Sequence, residues 1–286
     1  MAGYSICLIG NSHLAALAPA WRKDRLGARP EVSPVYFGMR AGHDWELAVR
    51  DGALVPTDEE GQEAFQRSSR GHRSIVTGDY DAFVIYGLGF QASKAWPLFF
   101  EYGCVEDLHW GPVNQLISQD CFAAALRLAI SGATALKVLA QIRSVCAAPA
   151  IICPMPFRSE AAFPQSSLGS HPRLSQPEYL ARVAEEFHHA CRAVCAKRGG
   201  EFIAQPESTW AMPCFTKSEF VLGGSTWRRD ERGETKRKGD DKHMNDRYGA
   251  VMLQAILRRL DELSGGAVLE KESQAAPAEA RLQAAE

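Results

Sequence analysis

Five short apolar runs, at residues 4–9, 32–37, 81–86, 150–153 and 201–204, recur along the chain with longer helix-patterned segments between most of them. Each run has strand length, and each is closed by a glycine or, within two residues, by a proline. Strands joined by helical crossovers run parallel, and a parallel sheet needs helices on both faces to cover it. The pattern therefore predicts an α/β chain: a three-layer α/β/α sandwich around a central parallel, flavodoxin-like sheet. Ligands of such sheets bind outside the carboxyl ends of the strands.

Leu14, Leu17, Ala18 and Trp21 repeat at helical spacing directly after the first strand. Residues 113–145 read as helix with a break at Gly132, and Ser175-Gln176-Pro177-Glu178 opens a long helix that Gly199-Gly200 stops. Residues 244–263 form the closing amphipathic helix. The polar stretch at 51–78 is expected to be irregular or a short strand pair. One domain is expected over residues 1–263. Residues 264–286 are Ala/Glu-rich without an apolar stripe and read as a disordered or loosely helical tail.

Of the 286 residues, 46% are apolar and 23% charged, with a formal net charge of −2, so neither a nucleic-acid footprint nor a membrane surface is indicated. A small or neutral partner fits better. The apolar run at 6–9 is too short for a signal peptide and no basic segment precedes it, so a cytoplasmic location is expected. The eight cysteines are scattered and read as reduced thiols. Only Cys191 and Cys195 are close in sequence, without partners at zinc-ligand spacing.

The candidate chemistry lies at the two ends of the chain. Ser12 falls in Gly10-Asn11-Ser12-His13, on the turn from the first strand into the first helix, where free helix N–H groups face any developing negative charge. A serine there is also a common helix cap. His243 falls in Asp240-Asp241-Lys242-His243-Met244-Asn245, just before the last helix. Asp240, three residues earlier, can fold back to accept the imidazole Nδ1–H, which leaves Nε2 to take a proton from a serine; Asp241 is the neighbouring alternative.

These blocks resemble the SGNH (GDSL-type) hydrolase superfamily. The residues concerned are Gly10-Asn11-Ser12-His13, a glycine turn after the second strand, a third strand ending in Gly87, and Asp240-x-x-His243 followed by Asn245 and Tyr248-Gly249. The resemblance spans roughly residues 4–260. It implies a serine esterase with Ser12, His243 and Asp240 as catalytic residues, and an oxyanion hole in which the Ser12 and Gly42 N–H groups donate, Gly38 being the fallback for Gly42. It also implies no metal or other cofactor. The substrate implied is a small ester or O-acetylated carbohydrate, hydrolysed or passed to a sugar hydroxyl, with the oligomeric state left open. A binding protein that keeps the fold without efficient catalysis is the competing class.

One block departs. The family pattern is Gly-x-Asn, whereas this chain has Gly87-Leu88-Gly89, so a donor is missing where Gly89 stands, and Gln91 or the Gly89 N–H are the nearest substitutes. The same residues loosely match a dinucleotide fingerprint, Gly87-x-Gly89-x-x-Ala92, which needs a helix at once after the strand. Pro97 argues against that. Residues 206–239 form a long insertion, read as a surface hairpin or as a wall of the substrate pocket through Trp210 and Trp227.

Overall fold

A computed structural model of the chain describes residues 3–38, 46–165, 171–222 and 242–270. The five runs form one parallel sheet: β1 (Ser5–Gly10), β2 (Ser33–Gly38), β3 (Ala82–Tyr86), β4 (Ala150–Cys153) and β5 (Glu201–Phe202), in the spatial order β2-β1-β3-β4-β5. This is the flavodoxin-like order, whose direction of winding reverses between β1 and β3. Register aligns the strand ends: Gly10 pairs with both Gly38 and Tyr86, and Tyr86 with Cys153. All loops leaving these positions therefore open on one edge of the sheet.

Alternation along the strands supplies two separate cores. Cys7, Ile9, Phe83, Ile85, Ala150 and Ile152 face one side, against Leu126 of α4 (Gln119–Ser131), Leu139 of α5 (Thr134–Arg143) and Val183 of α6 (Pro177–Ala196). Ile6, Leu8, Val84, Ile151 and Cys153 face the other, against Leu14 and Leu17 of α1 (Leu14–Asp24) and Tyr248, Met252 and Ile256 of α7 (Asp246–Leu263). Burying one such side chain contributes about 1.5–3 kcal/mol, so the in–out pattern leaves no freedom to slip register by one residue.

The stretch expected to be irregular or a short strand pair does pair Ala53–Leu54 with Ile75–Val76, and it holds more structure besides. Leu47–Arg50 and Ala53–Pro56 make a hairpin closed by Asp51-Gly52, both at positive φ, and Ile75–Val76 adds a third strand. Between them lies helix α2 (Glu59–Ser69), capped by Asp58, whose carboxylate accepts the Gly61 N–H at 2.6 Å. The third helix, α3 (Trp96–Glu101), follows β3 only after a short turn of 3₁₀ helix at Ala92–Lys94.

The tail also begins later than its composition implies. Val268 is fully buried in the α1–α7 core. Leu269 bridges to Ala28, and the Arg29 N–H donates to the Val268 carbonyl, so residues 264–270 belong to the domain. No single described helix is long and apolar enough to cross a membrane.

His188 of α6 is 7% exposed among Phe157, Phe187, Phe202 and Trp210, and burial, aided by the Arg192 charge, lowers its pKa from 6.5 to about 4. The unfolded chain takes up this proton below 6.5 while the folded one does not, so stability is lost as pH falls from 6.5 towards 4. Between about pH 7.5 and pH 5 the loss from this one group is about 2 kcal/mol. Urea unfolding of wild type and His188→Phe at both pH values is expected to show the phenylalanine variant losing correspondingly less.

Candidate active site

β1 ends at Gly10 because a side chain there has no space: a Cβ would lie 2.7 Å from the Tyr86 carbonyl oxygen and 2.8 Å from Leu14 Cγ. The chain then turns sharply into α1. Asn11 caps the turn, its Oδ1 accepting the His13 N–H at 3.2 Å, and the Leu14 and Ala15 N–H groups donate to the Asn11 and Ser12 carbonyls. Ser12 is thereby held at the edge of the sheet where the winding reverses. Among the described residues its N–H donates to no protein acceptor.

The opposite partner arrives from the start of α7. Met244 is buried in the α1–α7 core, and Asn245 fastens the loop on both sides: its Oδ1 accepts the Tyr248 N–H at 3.1 Å, and its Nδ2 donates to the Glu219 and Leu222 carbonyls at 2.7 and 3.0 Å. The Asn245 N–H donates to the Phe220 carbonyl at 2.7 Å. With the loop so anchored, His243 Nε2 lies 2.8 Å from Ser12 Oγ, across 231 residues of sequence. This is hydrogen-bond distance for a hydroxyl that gives its proton to an imidazole nitrogen.

Two further features set that distance. Gly249 lets α7 press directly on α1, since a Cβ at this position would stand 2.0 Å from the Ala16 carbonyl oxygen. An ion pair between Lys23 and Asp246 joins the two helices as well, and the ammonium holds the Asp246 carboxyl below its usual range. The His13 ring stacks on the His243 ring, with centroids 5.2 Å apart and planes inclined by 23°. Neither His13 nor Gly249 was expected in these roles. The glycine did leave a trace in the sequence, because glycine inside a helix costs stability and signals close packing.

The other expected site residues divide into four groups. Gly42, Asp240, Asp241 and Trp227 lie outside the described residues. Gly38, the fallback oxyanion donor, is already committed: its N–H donates to Ser68 Oγ of α2 at 2.8 Å. Trp210 packs its ring against Phe157 and His188, in the layer of α6, rather than on the Ser12–His243 pair.

Gly89 and Gln91 follow the tight turn after β3. Leu88 and Gly89 both adopt positive φ, the Phe90 N–H closes the turn onto the Gly87 carbonyl at 3.0 Å, and the Leu88 side chain is buried in the α4–α6 core. Glycine is needed here for backbone shape. The dinucleotide reading fails on the same turn, because it leads into 3₁₀ helix and not directly into an α-helix. The Gln91 carbonyl accepts the Lys94 N–H at 3.3 Å, and its side chain does not cap the short helix that follows.

The space beside Gly89 does not face Ser12. A Cβ on Gly89 would point to Lys94 Nζ at 3.4 Å and to the Thr134 N–H at the start of α5 at 4.0 Å. A Cβ on Gly87, in contrast, would meet the Asn11 amide at 3.2–3.4 Å. Should the Ser12–His243 pair hydrolyse esters, Gly89→Asn is therefore expected to leave that turnover within about twofold of wild type. A gain approaching the hundredfold that one oxyanion donor is worth would show that the side chain swings towards Ser12 after all.

Among the described residues no group of three His, Cys, Asp or Glu side chains is placed to hold a metal ion. Neither a protein-family model nor a curated protein sequence matches the chain.

Proposed function

We propose that the chain is a serine esterase of SGNH type, acting on a small carboxylic ester or an O-acetylated carbohydrate through an acyl-serine intermediate. The observation that carries this reading is the 2.8 Å approach of His243 Nε2 to Ser12 Oγ at the point where the winding of the sheet reverses.

His243 Nε2 removes the Ser12 hydroxyl proton as Oγ bonds to the ester carbonyl carbon. Negative charge collects on the former carbonyl oxygen, where the Ser12 N–H and the positive end of α1 favour it. The imidazolium then returns the proton to the leaving alkoxide as the carbon–oxygen bond breaks, leaving acyl-Ser12. Water repeats the sequence, giving up its proton to Nε2 and releasing the acid. If a sugar hydroxyl takes the place of water, the same residues perform acyl transfer. Asp240 is proposed as the acceptor for Nδ1–H, as the spacing Asp240-x-x-His243 suggests. Support for a neutral substrate comes from the near-zero net charge of the chain.

The test is covalent. Incubation with a fluorophosphonate should add one phosphonyl group, located by peptide mass spectrometry on the Ser12 side chain, and the purified protein should release p-nitrophenol from p-nitrophenyl acetate. An unmodified protein that also fails to turn over the acetate would end the esterase reading.

A further inference from the structure

We propose that Asn11 is a catalytic residue, whose side-chain Nδ2 supplies the oxyanion donor that Gly89 cannot. This deepens the esterase reading and rests on it.

The amide stands in the crevice where such a donor is needed. Asn11 follows Gly10 at the end of β1, and Gly10 pairs with Tyr86, so Gly87 lies across from Asn11 at the end of β3. A Cβ on Gly87 would meet Asn11 Oδ1 at 3.2 Å and Nδ2 at 3.4 Å. The amide therefore lies over the bare α-carbon of Gly87, between the carboxyl ends of the two strands at which the winding reverses. Sheets of this kind bind their ligands there. The space beside Gly87 is filled by a side chain arriving from β1.

The two ends of this amide are not interchangeable. The His13 N–H donates only to oxygen, so its bond to Oδ1 at 3.2 Å fixes which end is which and leaves Nδ2 as the donor end. Asn11 is 7% exposed, and among the described residues Nδ2 donates to no acceptor. A buried amide with unengaged N–H groups forgoes hydrogen-bond energy in the resting protein, and an incoming negative oxygen restores it. The Ser12 N–H, on the peptide group that joins Asn11 to Ser12, is equally unengaged among the described residues. Side chain and backbone of one tight turn thus present donors beside the hydroxyl that attacks. The ester carbonyl is a modest acceptor, but once Ser12 Oγ bonds to its carbon the oxygen carries charge and each bond to it strengthens. A donor already fixed by the Oδ1–His13 bond then stabilises the transition state more than the bound ester.

The experiment separates donation from capping. Asn11→Asp and Asn11→Ser both keep an oxygen for the His13 N–H, but the carboxylate has no N–H and the serine is too short to reach the place of Nδ2. Asn11→Ala loses cap and donor together. For each variant kcat and KM on p-nitrophenyl acetate and the thermal midpoint are measured, with the affinity for phenylboronic acid, which binds serine as a tetrahedral anion. The aspartate and serine variants are expected to lose about a hundredfold to a thousandfold in kcat, with KM within about threefold of wild type and the midpoint unchanged. The alanine variant should lose midpoint as well. Phenylboronic acid should weaken together with kcat/KM. A kcat within about threefold of wild type in either the aspartate or the serine variant would overturn the proposal, since a single donor is worth far more than that. A loss carried wholly by KM, or one that appears only with a lower midpoint, would mark Asn11 as a cap and overturn it too. If wild type turns over no ester, the esterase reading falls and the donor role with it, whereas an active wild type beside unimpaired variants removes the donor role alone.

Discussion

Replacement of His243 by alanine is expected to lower esterase turnover by about ten-thousandfold to a millionfold while leaving the fold intact. In a serine hydrolase the nucleophile and its base act as a unit, and losing either one costs nearly as much as losing both. The geometry has that form here, because Ser12 Oγ has His243 Nε2 at 2.8 Å as its hydrogen-bond partner among the described residues. The cost to stability should be small. His243 is half-exposed, and the contacts that secure its loop belong to Met244 and Asn245. Initial rates on p-nitrophenyl acetate for His243→Ala, Ser12→Ala and the double variant, beside thermal unfolding of each, provide the check. The double variant should be no slower than either single one. Additive losses would mean that the two residues work separately, contrary to the proposed mechanism.

A single methyl group on Gly249, 237 residues from Ser12 in sequence, is expected to disable the same site. The Cβ of alanine would sit 2.0 Å from the Ala16 carbonyl oxygen, a contact that no rotamer change can relieve because both partners are backbone or directly attached to it. The helices must part. Overpacking of this kind costs about 1–3 kcal/mol, and because His243 lies in the loop leading into α7 and Ser12 in the turn leading into α1, their separation would also stretch the Ser12–His243 hydrogen bond. Misplacement of about 1 Å is worth on the order of a hundredfold in rate. Gly249→Ala should therefore lose much more activity than an equally destabilising change elsewhere in the core. Ile256→Val, deeper in the same helix interface and costing about 0.5–1.5 kcal/mol, is the comparison. Equal residual activity in the two variants would show that helix spacing does not govern the site.

The parallel sheet was legible because its strands β1, β3 and β4 are buried on both faces, and because the runs end in residues that break extended structure, as at Gly10, Gly38 and Pro154. Helix α2 was not, since its buried stripe consists of Gly61, Phe65 and Ser69, and a single large apolar residue makes no visible period. Its role was equally hidden, for the Ser68 hydroxyl that occupies the Gly38 N–H looks in sequence like any exposed serine. Ser12 and His243 could be named because their residue types and flanking motifs imply chemistry. His13 could not, because stacking leaves no signature in spacing: a histidine at a helix start looks the same whether it faces solvent or another ring. The directions of side-chain space at Gly87 and Gly89 depend on three successive positive φ values, which composition alone does not reveal.

The sequence separation of 231 between Ser12 and His243 also bears on how the protein is made. Synthesis runs at about 5–20 residues per second, so Ser12 emerges roughly ten to fifty seconds before its hydrogen-bond partner His243. During that interval β1 can pair with β2 and later β3, but α1 has no α7 to cover it, and Leu14 and Leu17 face solvent or a chaperone. On the proposed mechanism the nascent chain is thus chemically silent until its last helix docks. Assembly of the proposed nucleophile coincides with completion of the fold, so on that mechanism an incomplete or prematurely terminated copy carries a serine that attacks nothing.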